Sequence, residues 1–262
     1  MKYLLDFLSL SLNEGGKAFT TAGPIAKSQV EPAFIKFKAE IATIFGGQTE
    51  PELIGSWKQK AVSGDLDALF YSDLSLEEIA ERLDDAGFES KIFHGFNIVS
   101  TNFEYEPGKA VQVDLFVRPT DTSKEMTDLF YKSPNTEKYS TKHRVFLIFS
   151  ALDSMKFDAE STHQGVPFKF KGYMLRPDGL YSFTKTLKKS NYAISDRLKI
   201  TDNISQISKI LFGKVIPYSQ WNTYEGTLNS LMTNPKLNMG EILKNYRQKL
   251  SDEGLAIPDG AN

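Results

Sequence analysis

Residues 55–67 read Gly-Ser-Trp-Lys-Gln-Lys-Ala-Val-Ser-Gly-Asp-Leu-Asp. Two acids, Asp65 and Asp67, stand two apart at the head of an apolar run, Leu66-Asp67-Ala68-Leu69-Phe70. In a strand, alternate side chains share a face, so both carboxylates point the same way, about 7 Å apart along the backbone. Like charges held side by side are costly, and a divalent cation between them is the usual remedy. Ahead of them, Gly55-Ser56 closes the apolar pair Leu53-Ile54, as a tight turn leaving a strand does. A small hydroxyl and closely approaching backbone amides suit a phosphate. Lys58 and Lys60 add positive charge in the same loop.

A third acid completes the set. Lys109 to Val117 reads KAVQVDLFV, which puts Val111, Val113, Leu115 and Val117 on one face and Gln112, Asp114 and Phe116 on the other. Asp114 therefore sits mid-strand in apolar company, where an unpaired carboxylate is penalised by desolvation. Three carboxylates on neighbouring strands beside a Gly-Ser turn make a site for two Mg²⁺ ions, which take hard oxygen ligands and bridge carboxylates to substrate phosphates.

Gly55-Ser56, then Asp65-x-Asp67, then a distant Asp114 on a strand resembles the nucleotidyltransferase superfamily that includes DNA polymerase β. The resemblance covers roughly residues 30 to 150. It implies a mixed α/β (α+β) palm-like core and a Mg²⁺- or Mn²⁺-dependent enzyme. Such an enzyme moves a nucleoside monophosphate from an NTP to an acceptor hydroxyl and releases pyrophosphate. It further implies that Asp65, Asp67 and Asp114 are the catalytic metal ligands, Asp114 being also a candidate general base. Gly55, Ser56, Lys58 and Lys60 would then face the triphosphate. Lys142, in the basic trio Lys142-His143-Arg144, would reach the nucleotide from the helix after the sheet, the alternative being that the trio is simply a charged helix end. One departure stands out: the loop lacks the arginine and second glycine of polymerase β-like enzymes, so their triphosphate contacts do not transfer directly. A narrower resemblance is to phage-encoded nucleotidyltransferase-like proteins, on Gly95 to Ser100, Val111 to Leu115 and Tyr131 to Pro134. It brings in virion proteins as partners and host cytoplasm or a virion as the location. The acceptor is left open among an RNA end, a protein and a small molecule. Two further classes stay beside the enzyme: a non-catalytic phage assembly protein of this fold, and a toxin or defence-type transferase acting on tRNA or protein.

Composition narrows the rest. The 262 residues carry 31 Lys and Arg against 33 Asp and Glu, a net charge of −2 that gives no bulk drive toward nucleic acid. There is no cysteine, which excludes disulfides, thiolate metal sites and cysteine nucleophiles. No apolar run approaches the ~18 residues of a membrane span. The lack of cysteine fits a reducing compartment, and a cytoplasmic location is expected. The first residues, MKYLLDFLSLSLNEGG, read as a short amphipathic helix rather than a leader. His94 and His163 have no partners at metal-ligand spacing, and the three histidines have no nearby acid partner in sequence to make a serine triad.

Three regions are expected: an N-terminal segment and linker over 1–26, a catalytic core over 27–135, and a mainly helical region with a β-hairpin over 136–262. Apolar spacing predicts a helix from Pro32 to Phe45, ended by Gly46-Gly47. Ser75-Leu-Glu-Glu78 is a capping box for a helix that Gly87 closes. A strand pair over 88–105, broken near His94-Gly95, leads into the Asp114 strand. A short helix over 122–131 stops at Ser133-Pro134, and Thr141 to Met155 is a buried helix. The hairpin joins 167–174 to 180–187 through Arg176-Pro-Asp-Gly179, and its aromatics Tyr173, Tyr181 and Phe183 are assigned to packing before base stacking. The remainder is read as helical, with Ile204 to Phe212 and Glu241 to Leu250 the clearest pieces.

Overall fold

A computed structural model describes residues 18–47, 49–55, 57, 61–94, 97–132, 139–161, 167–188 and 191–261. The expected N-terminal helix, His163 and the Ser133-Pro134 stop lie outside the described residues. The chain divides into two compact units, one ending at Asp121 and the other beginning at Thr122.

In the first unit, β1 (Ile25–Ala26) pairs antiparallel with β3 (Val62–Ser63) and leads directly into helix α1 (Lys27–Ile44). The helix starts ahead of Pro32, the expected first residue. The Lys27 amide donates to Ala61 O at 2.9 Å, which anchors the entry, and Val30 is already buried. Pro32 lies inside the helix on its exposed side, where the lost hydrogen bond is open to water.

The main sheet has five strands in the order β2 (Glu52–Leu53), β4 (Asp65–Tyr71), β7 (Lys109–Arg118), β6 (Ile98–Glu106) and β5 (Ser90–Phe93). Only β4 and β7 run parallel; every other neighbour is antiparallel. Parallel neighbours require a crossover. Here it is made by helix α2 (Leu76–Asp85) followed by the β5–β6 hairpin. The predicted capping box holds α2: the Glu78 amide donates to Ser75 Oγ at 3.2 Å, and the Ser75 amide to Glu78 Oε2 at 2.8 Å. Leu66, Ala68 and Phe70 of β4 join Val111, Val113, Leu115 and Val117 of β7 in one core with Phe37 and Ile41 of α1 and Ile79 and Leu83 of α2. The two helices thus cover one face, and period-2 alternation sends Asp65, Asp67 and Asp114 to the other.

The second unit is built on α4 (Thr141–Ser154), in which every residue from His143 to Leu152 is buried. A helix apolar all round belongs inside. Around it lie α3 (Lys124–Tyr131), strand β9 (Pro167–Arg176), and two later helices, α6 (Tyr224–Met232) and α7 (Met239–Asp252). The expected hairpin is the middle of a larger sheet. β8 (Phe157–Ser161), β9, β10 (Gly179–Lys188) and β11 (Asn191–Thr201) form four antiparallel strands, and α5 (Ile204–Phe212) follows. The mainly helical expectation is corrected on this point. β11 hides because it is a polar edge strand. Leu198 and Ile200 are exposed, Asp196 takes a positive φ of 52°, and the pairing with β10 shifts register beside it.

Candidate functional site

Strand register builds the site row by row. Asp67 on β4 pairs with Asp114 on β7, Asp114 with Ser100 on β6, and Ser100 with Lys91 on β5. One step along, Asp65 pairs with Gln112, and Gln112 with Asn102. Residues in register on neighbouring strands share a face, so these seven side chains stand together opposite the helices. Within them, Asp65, Asp67 and Asp114 each offer a carboxylate oxygen, and the three oxygens lie within 4.8 Å of one another. All three residues are half-buried.

Asp114 is held by name. Ser100 Oγ donates to its Oδ1 at 2.6 Å, and Gln112 Nε2 donates to the same oxygen at 2.8 Å. Burial raises its pKa above the ordinary carboxylate value, and these two donors pull the other way without overcoming it. Gln112 faces the site because it stands two residues before Asp114 on the same strand; that spacing was visible in the sequence, whereas Ser100 on β6 carried no such signal.

Gly55 follows β2 where the chain passes Asp67, and the neighbouring Ile54 amide donates to Asp67 O at 2.9 Å. Its φ of +83° is left-handed, and a Cβ there would stand 2.7 Å from Asp67 Oδ2. Both facts select glycine. The loop needs a residue without a side chain to run its backbone beside the carboxylate. Ser56, Lys58 and Lys60 lie outside the described residues.

The basic trio resolves into separate jobs in the second unit. Arg144 is fully buried, and its Nη2 donates to the carbonyls of Asp128, Leu129 and Lys132 at 2.9, 2.8 and 2.8 Å. It therefore closes the C-terminal end of α3, where helix carbonyls lack intrahelical donors. His143 bridges Ser140 Oγ at 2.9 Å and Ala256 O at 3.2 Å, and burial lowers its pKa. Lys142 stands half-exposed in the first turn of α4. Among the aromatics of the expected hairpin, Phe183 is buried, Tyr173 lies against Phe157 with ring centroids 4.9 Å apart, and Tyr181 donates to Asp178 at 2.5 Å. These are packing and turn roles. His94 is exposed, 3.7 Å from Glu77.

No protein-family model matches the chain, and no curated protein matches it. Among solved structures the chain is similar to the polymerase beta of Leishmania infantum in a ternary P/T complex. That similarity has 13% identity and a TM-score of 0.41, over 100% of this chain and 79% of that one. A likeness at this level carries no function across. The chemistry rests on the carboxylates and on the loop beside them. Nothing in these comparisons bears on a phage origin.

Proposed function

We propose that this chain is a divalent-cation-dependent nucleotidyltransferase that moves a nucleoside monophosphate from an NTP to an acceptor hydroxyl. The observation that supports the reading is the cluster itself: three carboxylates gathered within 4.8 Å on one sheet face, beside a glycine whose left-handed φ and missing Cβ leave room for Asp67. The donor set fits the ion. Carboxylate oxygens are the hard ligands that Mg²⁺ and Mn²⁺ take, and packing three anions together without a cation is unfavourable. Asp65, Asp67 and Asp114 would hold the metal. When bound, such ions neutralise phosphate charge and lower the pKa of an acceptor hydroxyl.

The chain's own residues supply the remainder. Ser100 and Gln112 fix one oxygen of Asp114, so its carboxylate keeps one orientation. As a carboxylate at the acceptor side of the cluster, it is the residue assigned to take the hydroxyl proton released on attack. Gly55 lets backbone reach the edge of the site where a triphosphate would lie. Ser56, Lys58 and Lys60 are assigned to that triphosphate on the sequence alone, as is Lys142. In the reaction the acceptor oxygen bonds to the α-phosphorus, the bond to pyrophosphate breaks, and the hydroxyl proton leaves. Positioning and charge neutralisation account for most of the rate.

The test incubates purified protein with each labelled NTP, Mg²⁺ or Mn²⁺, and cellular RNA or protein, scoring pyrophosphate release and label transfer. Asp67→Asn should lower release by a factor on the order of a hundred or more, while far-UV circular dichroism stays unchanged. Release that persists at the unaltered rate in Asp67→Asn would overturn the proposal.

A further inference from the structure

The stretch ahead of β1, expected as loop or linker, lies along the carboxylate face. The Ala18 amide donates to Gln112 Oε1 at 2.9 Å, and the Ala18 carbonyl accepts from the Lys91 ammonium. That ammonium stands 4.8 Å above the ring of Phe19, which is buried. Thr21 Oγ1 accepts from Asn102 Nδ2 at 2.7 Å. Ala22 forms a parallel bridge to Ala110, and the Gly23 amide donates to Ala110 O at 2.8 Å. The bridge takes the place beside β7 that β4 leaves, because β4 begins only at Asp65, opposite Gln112. Four side chains and backbone groups of the sheet thus hold this segment, and three of them belong to the rows that carry the acids.

We infer that residues 18–23 are a strap that sets the third carboxylate through Gln112, and so regulate the cation site. The inference rests on the metal-dependent reading above. A glutamine amide has a donor end and an acceptor end that a half-turn exchanges. The Ala18 amide occupies the acceptor end, which obliges Nε2 to face Asp114 Oδ1. With the strap undocked, that choice is lost. The amide is then able to turn its oxygen toward the carboxylate, where two acceptors repel. The strap therefore works on the site at one remove: Gln112 is a positioning residue, and Lys91 is the clamp that keeps the strap seated.

The experiment measures Mn²⁺ affinity by isothermal titration on the full chain without nucleotide, so no turnover is needed. Gln112→Ala should weaken binding by about tenfold, as loss of a residue that orients a ligand commonly does. Lys91→Met is the sharper variant, since it touches neither Gln112 nor an acid. Removing a positive charge from this face should by Coulomb's law alone tighten cation binding. The strap predicts the opposite, a weakening of about two- to fivefold, with Lys91→Arg close to the unaltered protein. Binding that is unchanged or tighter in Lys91→Met overturns the strap, whatever Gln112→Ala does; if Gln112→Ala fails to fold, Lys91→Met decides alone. No binding by the unaltered protein would instead overturn the metal site, and the strap's role with it.

Discussion

At the scale of single residues, Asp114 is where function and stability pull apart. Its pKa is raised above the ordinary 3.8 chiefly by burial, although Ser100 and Gln112 both donate to it. A group whose folded pKa is raised stabilises the fold most at pH below its unfolded value, and that contribution is lost as pH rises through the folded value. At neutral pH without cation, Asp114 is therefore a cost. Asp114→Asn keeps an oxygen for both donors and removes the charge, so the cation-free variant should melt above the unaltered protein at pH 7. The gap should shrink as pH falls toward 3.8 and reverse when Mn²⁺ is added. Thermal melts from pH 4 to 8 check it; a gap that does not change with pH would show that charge is not its origin. Gly55 has the complementary character. Its missing Cβ matters little to the core and much to Asp67, whose side-chain oxygen lies 2.7 Å from where that carbon would be.

At the scale of elements, Arg144 joins two helices. It lies in α4, and its guanidinium satisfies three carbonyls at the end of α3 from a fully buried position. Arg144→Leu would leave the buried Leu129 carbonyl without this donor, while Asp128 O keeps the Lys132 amide, at a cost of about 2 kcal/mol. Urea unfolding measures it, and a loss below about 1 kcal/mol, the worth of one ordinary hydrogen bond, would count against the joint. Read from sequence, the same arginine is one of three basic residues near a helix start, with nothing to separate a structural tie from a phosphate contact. The elements of the first unit were far more legible. Asp67 and Asp114 each stand between apolar neighbours on their strands, with Asp65 two places before Asp67, and the Ser75 capping box is a local signal that needs no tertiary partner. What escaped was held by other means. The strap binds mostly through the backbone groups of Ala18, Ala22 and Gly23, which leave no residue pattern. β11 is an edge strand whose residues 195–200 are all exposed, so it lacks the apolar-in, polar-out alternation of a strand with one buried face.

At the scale of the whole molecule, the division at Asp121 separates the assigned residues. The three acids, Gly55, Ser100 and Gln112 belong to the first unit, and Lys142 to the second. A ligand stabilises the cooperative region that holds its site. Mn²⁺ alone should therefore slow amide hydrogen exchange within residues 18–121, most in β4, β6, β7 and the strap, and leave 122–261 close to its cation-free rates. Equal slowing in both ranges would mean that the second unit also supplies ligands. Adding an NTP to the same sample then tests Lys142, since a phosphate contact there should extend protection into the first turn of α4. The net charge of −2 sets a further limit, because a long nucleic-acid track would need a local basic surface that the overall balance does not provide.

The parallel pairing of β4 with β7 also governs when the site comes into being. The first two acids leave the ribosome well before the third, and between them the chain must complete α2, then the β5–β6 hairpin, before β7 can dock. Long-range parallel pairing is slow, since the loop must close before any contact rewards it. The nascent chain thus carries two adjacent charges that repel rather than a finished trap for metal. On the proposed reading, cation capture waits until β7 has docked, and binding then stabilises the finished pairing.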